Sequence, residues 1–198
     1  MKENIMKFCS ACGEKVNWVM PQGDNRNRYV CISCGVIHYQ NPNIVTGCIP
    51  EWQGDILLCR RSIEPRKGLW TLPAGFMENY ETNREGAARE AMEEANAEMR
   101  DLKLFSMFSI PHVNQIYTIY RGELHQGQAS VGEETLEVAL VSEEDIPWQE
   151  LAFPMVVESL KLYFDDRRKG KFETHYGEIV KQDDGELEVT MISAGSEY

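Results

Sequence analysis

GFMENYETNREGAAREAMEEANA, residues 75–97, is the segment around which this chain is organised. Its apolar residues recur at the i, i+3, i+4, i+7 spacing of one helical face. The spacing predicts an α-helix whose buried stripe consists of Ala88, Ala91, Met92 and Ala95. The opposite face is expected to carry three carboxylates, those of Glu90, Glu93 and Glu94, because residues three and four apart are neighbours on a helix.

Both ends of this helix are marked in the sequence. Thr82 and Glu85 have the spacing of a capping box, which places the first helical residue at Asn83. Asn96 is expected to end the helix, because Asn adopts the left-handed backbone conformation more readily than most residues. The predicted helix therefore runs from residue 83 to residue 95.

Three carboxylates on one face repel each other, so this arrangement calls for a neutralising partner. Hard divalent cations take oxygen ligands, and Mg²⁺ in particular is held by a few carboxylates together with substrate phosphates. The alternative is a solvated acidic face on which Arg89 pairs with Glu85 and Glu93. The residues upstream of the helix favour the metal.

Those residues complete the spacing Gly75, Glu81, then Arg89-Glu90-x-x-Glu93-Glu94, which resembles the Nudix box. The resemblance implies that Glu90, Glu93, Glu94 and the carbonyl of Gly75 bind catalytic Mg²⁺ or Mn²⁺, and that Arg89 pairs with Glu81. Ala91 and Asn96 depart from the usual pattern, which has a larger aliphatic residue and a glycine there. Neither departure removes a carboxylate.

The composition is that of a globular protein: 198 residues, 42% hydrophobic and 26% charged. A net charge of −12 argues against broad nucleic-acid binding and against attachment to an anionic membrane, since both rest on clustered Lys and Arg. No apolar run approaches the length of a membrane span, and the first ten residues lack the apolar core of a signal peptide. A cytoplasmic location is therefore expected.

Four of the six cysteines form two pairs near the start of the chain, Cys9-x-x-Cys12 and Cys31-x-x-Cys34. This spacing is typical of a four-cysteine zinc site and resembles a zinc ribbon. A thioredoxin-like redox pair and a rubredoxin-like iron site are the alternatives, with zinc preferred. Because four sulfur ligands leave no open position, a structural role is expected. Too few basic residues flank the pairs for a nucleic-acid footprint.

The remaining pattern divides the chain into a zinc ribbon at 1–40, a Nudix hydrolase domain at 41–180 and a C-terminal tail at 181–198. Strands are predicted at 16–19, 28–31, 43–52, 56–60, 103–110, 115–124 and 136–141. A second helix is expected to begin at Pro154 and to end at Gly170, with Val156, Leu160, Tyr163 and Phe164 buried. An edge strand is predicted at 186–192.

Two further groups of candidate site residues flank the box. Arg60 and Arg61 lie just upstream, where a guanidinium suits a substrate phosphate. The resemblance also implies a further metal ligand or general base from the acidic region after the box. Glu137 matches that place best, followed by Glu134 and Glu133.

Together these features predict an α+β Nudix fold, a mixed sheet flanked by helices, with an N-terminal zinc ribbon. The combination resembles the group of pyrophosphatases that act on ADP-ribose, FAD and NADH. NADH ranks lowest, because the Ser-Gln-Pro-Trp-Pro-Phe-Pro stretch of NADH-type members is replaced here by Ile146-Pro147-Trp148-Gln149 and Phe153-Pro154. The resemblance also implies a small-molecule nucleotide substrate and a homodimer. The rival interpretation is a non-catalytic nucleotide sensor whose ribbon contacts a partner.

Overall fold

The computed structural model describes residues 6–192. Its contacts divide the chain after Asn41 into two compact units. The first contains the two cysteine pairs and the second contains the Nudix box, so each unit is described by itself.

The first unit is a three-stranded antiparallel sheet in the order β1-β2-β3. Its strands are β1 (Val16–Val19), β2 (Arg28–Cys31) and β3 (Ile37–His38). The predicted strands at 16–19 and 28–31 are confirmed. Each cysteine pair is followed by a glycine with positive φ, 77° at Gly13 and 75° at Gly35, which permits the tight turn.

The second unit is built on a nine-stranded mixed sheet in the order β10-β5-β4-β9-β8-β11-β12, with β6 beside β5 and β7 beside β4. Two neighbouring pairs are parallel, β4 with β9 and β8 with β11, and the others are antiparallel. The strands are β4 (Asn43–Trp52), β5 (Asp55–Arg61), β6 (Trp70–Thr71), β7 (Ala74–Phe76), β8 (Met99–Ile110), β9 (Gln115–Leu124), β10 (Thr135–Val141), β11 (His175–Lys181) and β12 (Leu187–Ile192).

Two helices cover opposite faces of this sheet, α1 (Asn83–Ala95) and α2 (Pro154–Lys169). Successive strand residues point to opposite faces. Cys48 accordingly packs with α1, and its neighbour Ile49 packs with α2. The predicted mixed sheet flanked by helices is confirmed.

The predicted ends of α1 are confirmed, but its buried face is not the predicted one. Asn96 has φ 46° and closes the helix in the left-handed conformation. Met92 is 45% exposed and Ala88 is only half-buried. The buried residues are Gly86, Ala87, Glu90, Ala91, Glu94 and Ala95. The helix is rotated because the narrow Ala face fits against the sheet, which turns two of the glutamates inward.

The remaining elements mostly follow the sequence pattern. Helix α2 buries the four residues predicted for it and ends at Gly170 with φ 66°. The predicted edge strand is present as β12, paired with β11, so residues 187–192 belong to the main sheet rather than to a separate tail. The last six tail residues, 193–198, lie outside the described part of the chain. Neither helix of the described part is long and apolar enough to cross a membrane.

Candidate active site

The site forms where two neighbouring strands separate. β4 pairs with β5 only at its end, through Glu51 with Ile56 and Trp52 with Asp55. Beyond that point the short strand β6 continues along β5, and β7 continues along β4. The separation brings the backbone of β7 beside α1, the helix that carries the carboxylates.

Gly75 is the point of closest approach between β7 and α1. A Cβ atom added to Gly75 would lie 2.4 Å from Oε2 of Glu90 and 2.5 Å from Oε1. No side chain fits in that space without moving the carboxylate. Glycine at this position therefore lets the carboxylate of Glu90 lie directly against the strand backbone.

Arg89 organises the other side of the cluster. Its Nε and Nη2 donate to the two carboxylate oxygens of Glu81 at 3.0 and 2.8 Å, so the expected pair is present in the bidentate form. Its Nη1 also donates to Glu90 at 2.7 Å and to Glu93 at 3.0 Å, and its Nη2 donates to the Phe76 carbonyl. The hydrogen bonds from Arg89 lower the pKa of Glu81.

The solvated-face alternative predicted a second partner for Arg89, the carboxylate of Glu85. In the structure that carboxylate accepts from the backbone N–H of Thr82 at 2.7 Å, while Thr82 Oγ1 accepts from the Glu85 N–H. The predicted capping box is therefore complete, and Glu85 serves the helix start. The guanidinium of Arg89 turns toward the box instead.

Glu94 has a different environment from Glu90. It is buried, and its carboxylate accepts one hydrogen bond, from the backbone N–H of Ala74 at 3.3 Å. Among residues 6–192 no Lys, Arg or His forms an ion pair with it. Burial, followed by the charge of Glu90, raises the pKa of Glu94 to about 8. Burial also raises the pKa of Glu90, although Arg89 opposes that shift.

The acidic region after the box divides into two environments. Glu137 lies on β10 opposite Arg60 of β5, and the two side chains pair at 3.4 Å. Glu134 lies close enough to Glu94 for its charge to raise the pKa of that carboxyl. The structure thus brings Glu134 to the carboxylate cluster and holds Glu137, the first choice from sequence, on Arg60. Glu133 contributes its backbone N–H to the carbonyl of Glu93 at 2.8 Å.

The two arginines upstream of the box also separate. Arg60 donates through Nε to the Gly68 carbonyl at 2.8 Å and through Nη1 to Glu137. The charge of Arg61 reaches the cluster, where it lowers the pKa of Glu94 against the larger effect of burial. Of the two candidates, Arg61 is the one whose charge acts on the carboxylate cluster.

Two aromatic residues near Arg61 were not found from the sequence. The Arg61 guanidinium lies 5.2 Å from the centre of the Phe153 ring. Arg61 and Glu94 also both act on the pKa of Tyr117, which burial raises. No local pattern marks either aromatic residue, because each reaches Arg61 only through the pairing and packing of distant elements.

The four cysteines of the first unit form a separate cluster. Their ligand atoms all lie within 4.8 Å of one another. The Sγ atoms of Cys9 and Cys34 are 3.7 Å apart, and those of Cys12 and Cys31 are 3.4 Å apart. Sulfurs bound tetrahedrally at about 2.3 Å from a zinc ion would have closely similar spacings. The backbone N–H of Cys34 lowers the pKa of Cys31, which favours the thiolate that a metal binds.

Comparisons with known proteins agree with both clusters. The sequence model of the NUDIX domain matches residues 42–165, and that of the Nudix N-terminal zinc ribbon matches residues 7–40. The crystal structure of a NUDIX hydrolase from Nitrosomonas europaea is 48% identical, with a TM-score of 0.85. The similarity covers 89% of this chain and 100% of that chain.

More distant proteins bear on substrate. The NAD-capped RNA hydrolase NudC of Salmonella heidelberg (strain SL476) is 28% identical over 149 residues, which are 71% of this chain and 53% of that protein. The chain thus spans about half the length of the curated relatives it matches. An ADP-ribose pyrophosphatase from Streptococcus suis 89-1591 shares the fold, with 20% identity and a TM-score of 0.57 over 69% of this chain and 99% of that one. The family matches, the complete box and the fold place this chain in the Nudix family, with an N-terminal zinc ribbon.

Proposed function

We propose that this chain is a metal-dependent hydrolase that cleaves the diphosphate bond of a nucleoside diphosphate linked to a second moiety. ADP-ribose and FAD are the proposed substrates. The products are a nucleoside monophosphate and the phosphorylated second moiety. Family membership supports the reaction class, and the carboxylate cluster supports the dependence on a divalent cation.

The observation that carries the proposal is the buried carboxylate of Glu94, which has no cationic partner among the described residues. A buried carboxylate normally pairs with a cation or binds a metal, because the charge is costly to remove from water. Glu90 lies beside it, and oxygen donors of this kind suit Mg²⁺ and Mn²⁺. The donor set therefore fits the cation that the resemblance implies.

The residues that would hold the cation are Glu90, Glu93, Glu94 and the carbonyl of Gly75. When bound, Mg²⁺ or Mn²⁺ supplies charge neutralisation for the diphosphate and lowers the pKa of a water. Arg89 holds Glu90 and Glu93 in place through its Nη1 atom, at 2.7 and 3.0 Å. Its bidentate bond to Glu81 fixes the loop before α1 against the helix.

Two further residues have roles in the proposed reaction. Glu134 accepts the proton of the attacking water as general base, a role supported by its proximity to Glu94. Glu137 is the alternative base, and its bond to Arg60 weighs against it. Arg61 binds a substrate phosphate, because its charge reaches the cluster while Arg60 is engaged by Gly68 and Glu137.

In the first unit we propose a structural Zn²⁺ bound by Cys9, Cys12, Cys31 and Cys34. The sulfur spacings support a closed tetrahedral site, and hard cations such as Mg²⁺ do not prefer thiolates. The domain limits 1–40, 41–180 and 181–198, a cytoplasmic location and a homodimer stay predictions.

A second substrate class is favoured by one observation, the name of the NudC relatives, which are NAD-capped RNA hydrolases. An NAD-type dinucleotide, free or at the end of an RNA, is therefore the alternative to ADP-ribose and FAD. The missing NADH-type stretch weighs against it, because Trp148-Gln149 and Phe153-Pro154 stand in that region. Binding of RNA would also overturn the expectation that nucleic acid is not a partner.

A substrate panel tests the proposal. Purified protein is incubated with ADP-ribose, FAD, NADH or a short NAD-capped RNA, with Mg²⁺ or Mn²⁺, and products are separated by chromatography. The expected result is metal-dependent release of AMP from ADP-ribose or FAD. Faster turnover of NADH or of the capped RNA would transfer the assignment to the NAD-type class. Binding without cleavage across the panel would favour the nucleotide-sensor interpretation.

A further inference from the structure

The C-terminus of α1 and the acidic loop at residues 130–134 are joined by main-chain hydrogen bonds. The loop donates three N–H groups to the last carbonyls of the helix: Ser130 to Ala95 at 2.8 Å, Gly132 to Glu94 at 3.1 Å and Glu133 to Glu93 at 2.8 Å. Terminal helix carbonyls have no partner within the helix, so the loop supplies what the helix lacks.

Gly132 shows how close this contact is. A Cβ atom added there would lie 2.0 Å from the Glu93 carbonyl oxygen, so no other residue fits without moving the loop. At the end of the loop, the Glu134 carbonyl accepts from the N–H of Ser62, the residue after β5. The loop is thus held at one end by the helix that carries the carboxylates and at the other by the strand that carries Arg61.

One side chain adds to these main-chain bonds. The amide Nδ2 of Asn96 lies 3.1 Å from the Val131 carbonyl and 3.4 Å from the Ser130 carbonyl. The resembled pattern has glycine here, which can adopt the left-handed conformation but has no side chain to donate these bonds. Asn96 therefore combines the helix stop with a link to the loop.

We propose that Asn96 is a positioning residue that holds the loop 130–134 on α1, and so holds Glu134 at a fixed distance from Glu93 and Glu94. This inference rests on the proposed function for its effect on catalysis. It assigns a use to a departure from the family pattern that the helix stop alone does not require, because glycine would end the helix equally well.

The substitution Asn96→Gly isolates the side chain. Glycine tolerates φ 46°, so the helix stop is kept while the amide is removed. The matched control is Asn114→Gly, because Asn114 also ends a short helix in the left-handed conformation, with φ 54°, at the turn before β9. Both variants carry the same chemical change at the same kind of backbone position.

The first measurement is amide hydrogen exchange, which does not depend on activity. In Asn96→Gly the amides of Ser130, Gly132 and Glu133 are expected to exchange about tenfold faster, while the capping-box amide of Glu85 is unchanged. Asn114→Gly is expected to leave the loop unchanged. Equal protection of the loop in wild type and Asn96→Gly would overturn the proposal.

The second measurement concerns catalysis and metal. Asn96→Gly is expected to lower kcat about tenfold with little change in KM, and to raise the half-saturating Mn²⁺ concentration by a similar factor, as for lost outer partners of metal ligands. In the Glu134→Gln background the same change is expected to cost much less, because both act through one residue. Full additivity, or an unchanged kcat, would overturn the positioning role. If wild type hydrolyses nothing in the panel, the proposed function fails, and hydrogen exchange and Mn²⁺ titration still decide the role of Asn96.

Discussion

The two candidate metal sites of this chain are built on opposite principles. The four cysteines supply soft thiolates from two turns, and their mutual spacing leaves no position for a substrate. The glutamates supply hard oxygens from one helix, and Glu94 is buried with a single hydrogen bond from Ala74. The contrast separates a site that completes a fold from a site that is left incomplete without a ligand.

The difference also appears in how each site treats charge. In the first unit, backbone N–H groups of Ala11 and Cys34 approach the sulfurs of Cys9 and Cys31 at 3.4 Å, as expected for thiolates that stay bound. In the second unit, burial raises the pKa of Glu94 to about 8, so the carboxylate is costly to ionise until a cation arrives. The following predictions test this division, from the largest effect to the smallest.

The largest effect is expected at the cysteine cluster. Cys9→Ser should abolish binding of one zinc ion per chain and unfold the first unit, because structural zinc contributes about 10 kcal/mol or more to such small folds. Elemental analysis and circular dichroism measure this, with Ser10→Ala as the control. Hydrolysis by the second unit should stay within about threefold of wild type if the site is structural. Iron in the wild-type protein, or no metal, would reject the zinc assignment.

Glu94→Gln should remove metal-dependent hydrolysis by about 10³-fold, on the scale of losing a principal electrostatic group in an active site. The fold should be kept, because the amide is nearly the same size as the carboxyl and the Ala74 N–H can still donate to it. Steady-state kinetics and thermal melting measure the two effects, with the exposed Glu98→Gln as control. Turnover like that of wild type would remove Glu94 from the ligand set.

The same carboxyl predicts a pH dependence of stability without added Mg²⁺ or Mn²⁺. Because the pKa of Glu94 is raised from 4.5 to about 8, the folded state binds the extra proton between these values. Its contribution is complete below about pH 4.5 and is lost as pH rises through about 8, up to a few kcal/mol at about 1.4 kcal/mol per pKa unit. Chemical unfolding from pH 5 to 9 should show this loss in wild type and less of it in Glu94→Gln. Parallel profiles would contradict the buried, unpaired carboxyl.

Gly75→Ala should have the smallest effect of the four, about 10- to 100-fold on activity. The added methyl group would lie 2.4 Å from Glu90 Oε2 and would displace that carboxylate without disturbing the sulfur cluster. A double-variant cycle with Glu90→Gln tests the route. If the methyl group acts through Glu90, the double variant should lose little more than Glu90→Gln alone. Independent losses would mean that Gly75 acts by another route.

Sequence reasoning predicted the elements whose cause is local. The capping box at Thr82, the left-handed stop at Asn96 and the β4–β5 hairpin each depend on neighbouring residues, and all are present. Strands β6 and β7 have only two and three residues, and their pairing depends on partners elsewhere in the chain, so no local pattern marked them.

The site was predicted less completely, for a physical reason. The rotation of α1 was missed because alanines carry little amphipathic signal, and a periodicity argument assigns charged residues to the solvent. Glu90 and Glu94 are buried instead. The proximity of Glu134 and Arg61 to Glu94 comes from loop and strand pairing across the sheet, which sequence spacing alone does not reveal.

The most direct test of the central claim is the position of the catalytic cation. Crystals of wild type and Glu94→Gln soaked in Mn²⁺ would be measured at the manganese absorption edge. The account predicts an anomalous peak bound by oxygens of Glu90 and Glu94 at about 2.1 Å in wild type, and a weakened or absent peak in the variant. A peak elsewhere, or one at this position that Glu94→Gln leaves unchanged, would contradict it.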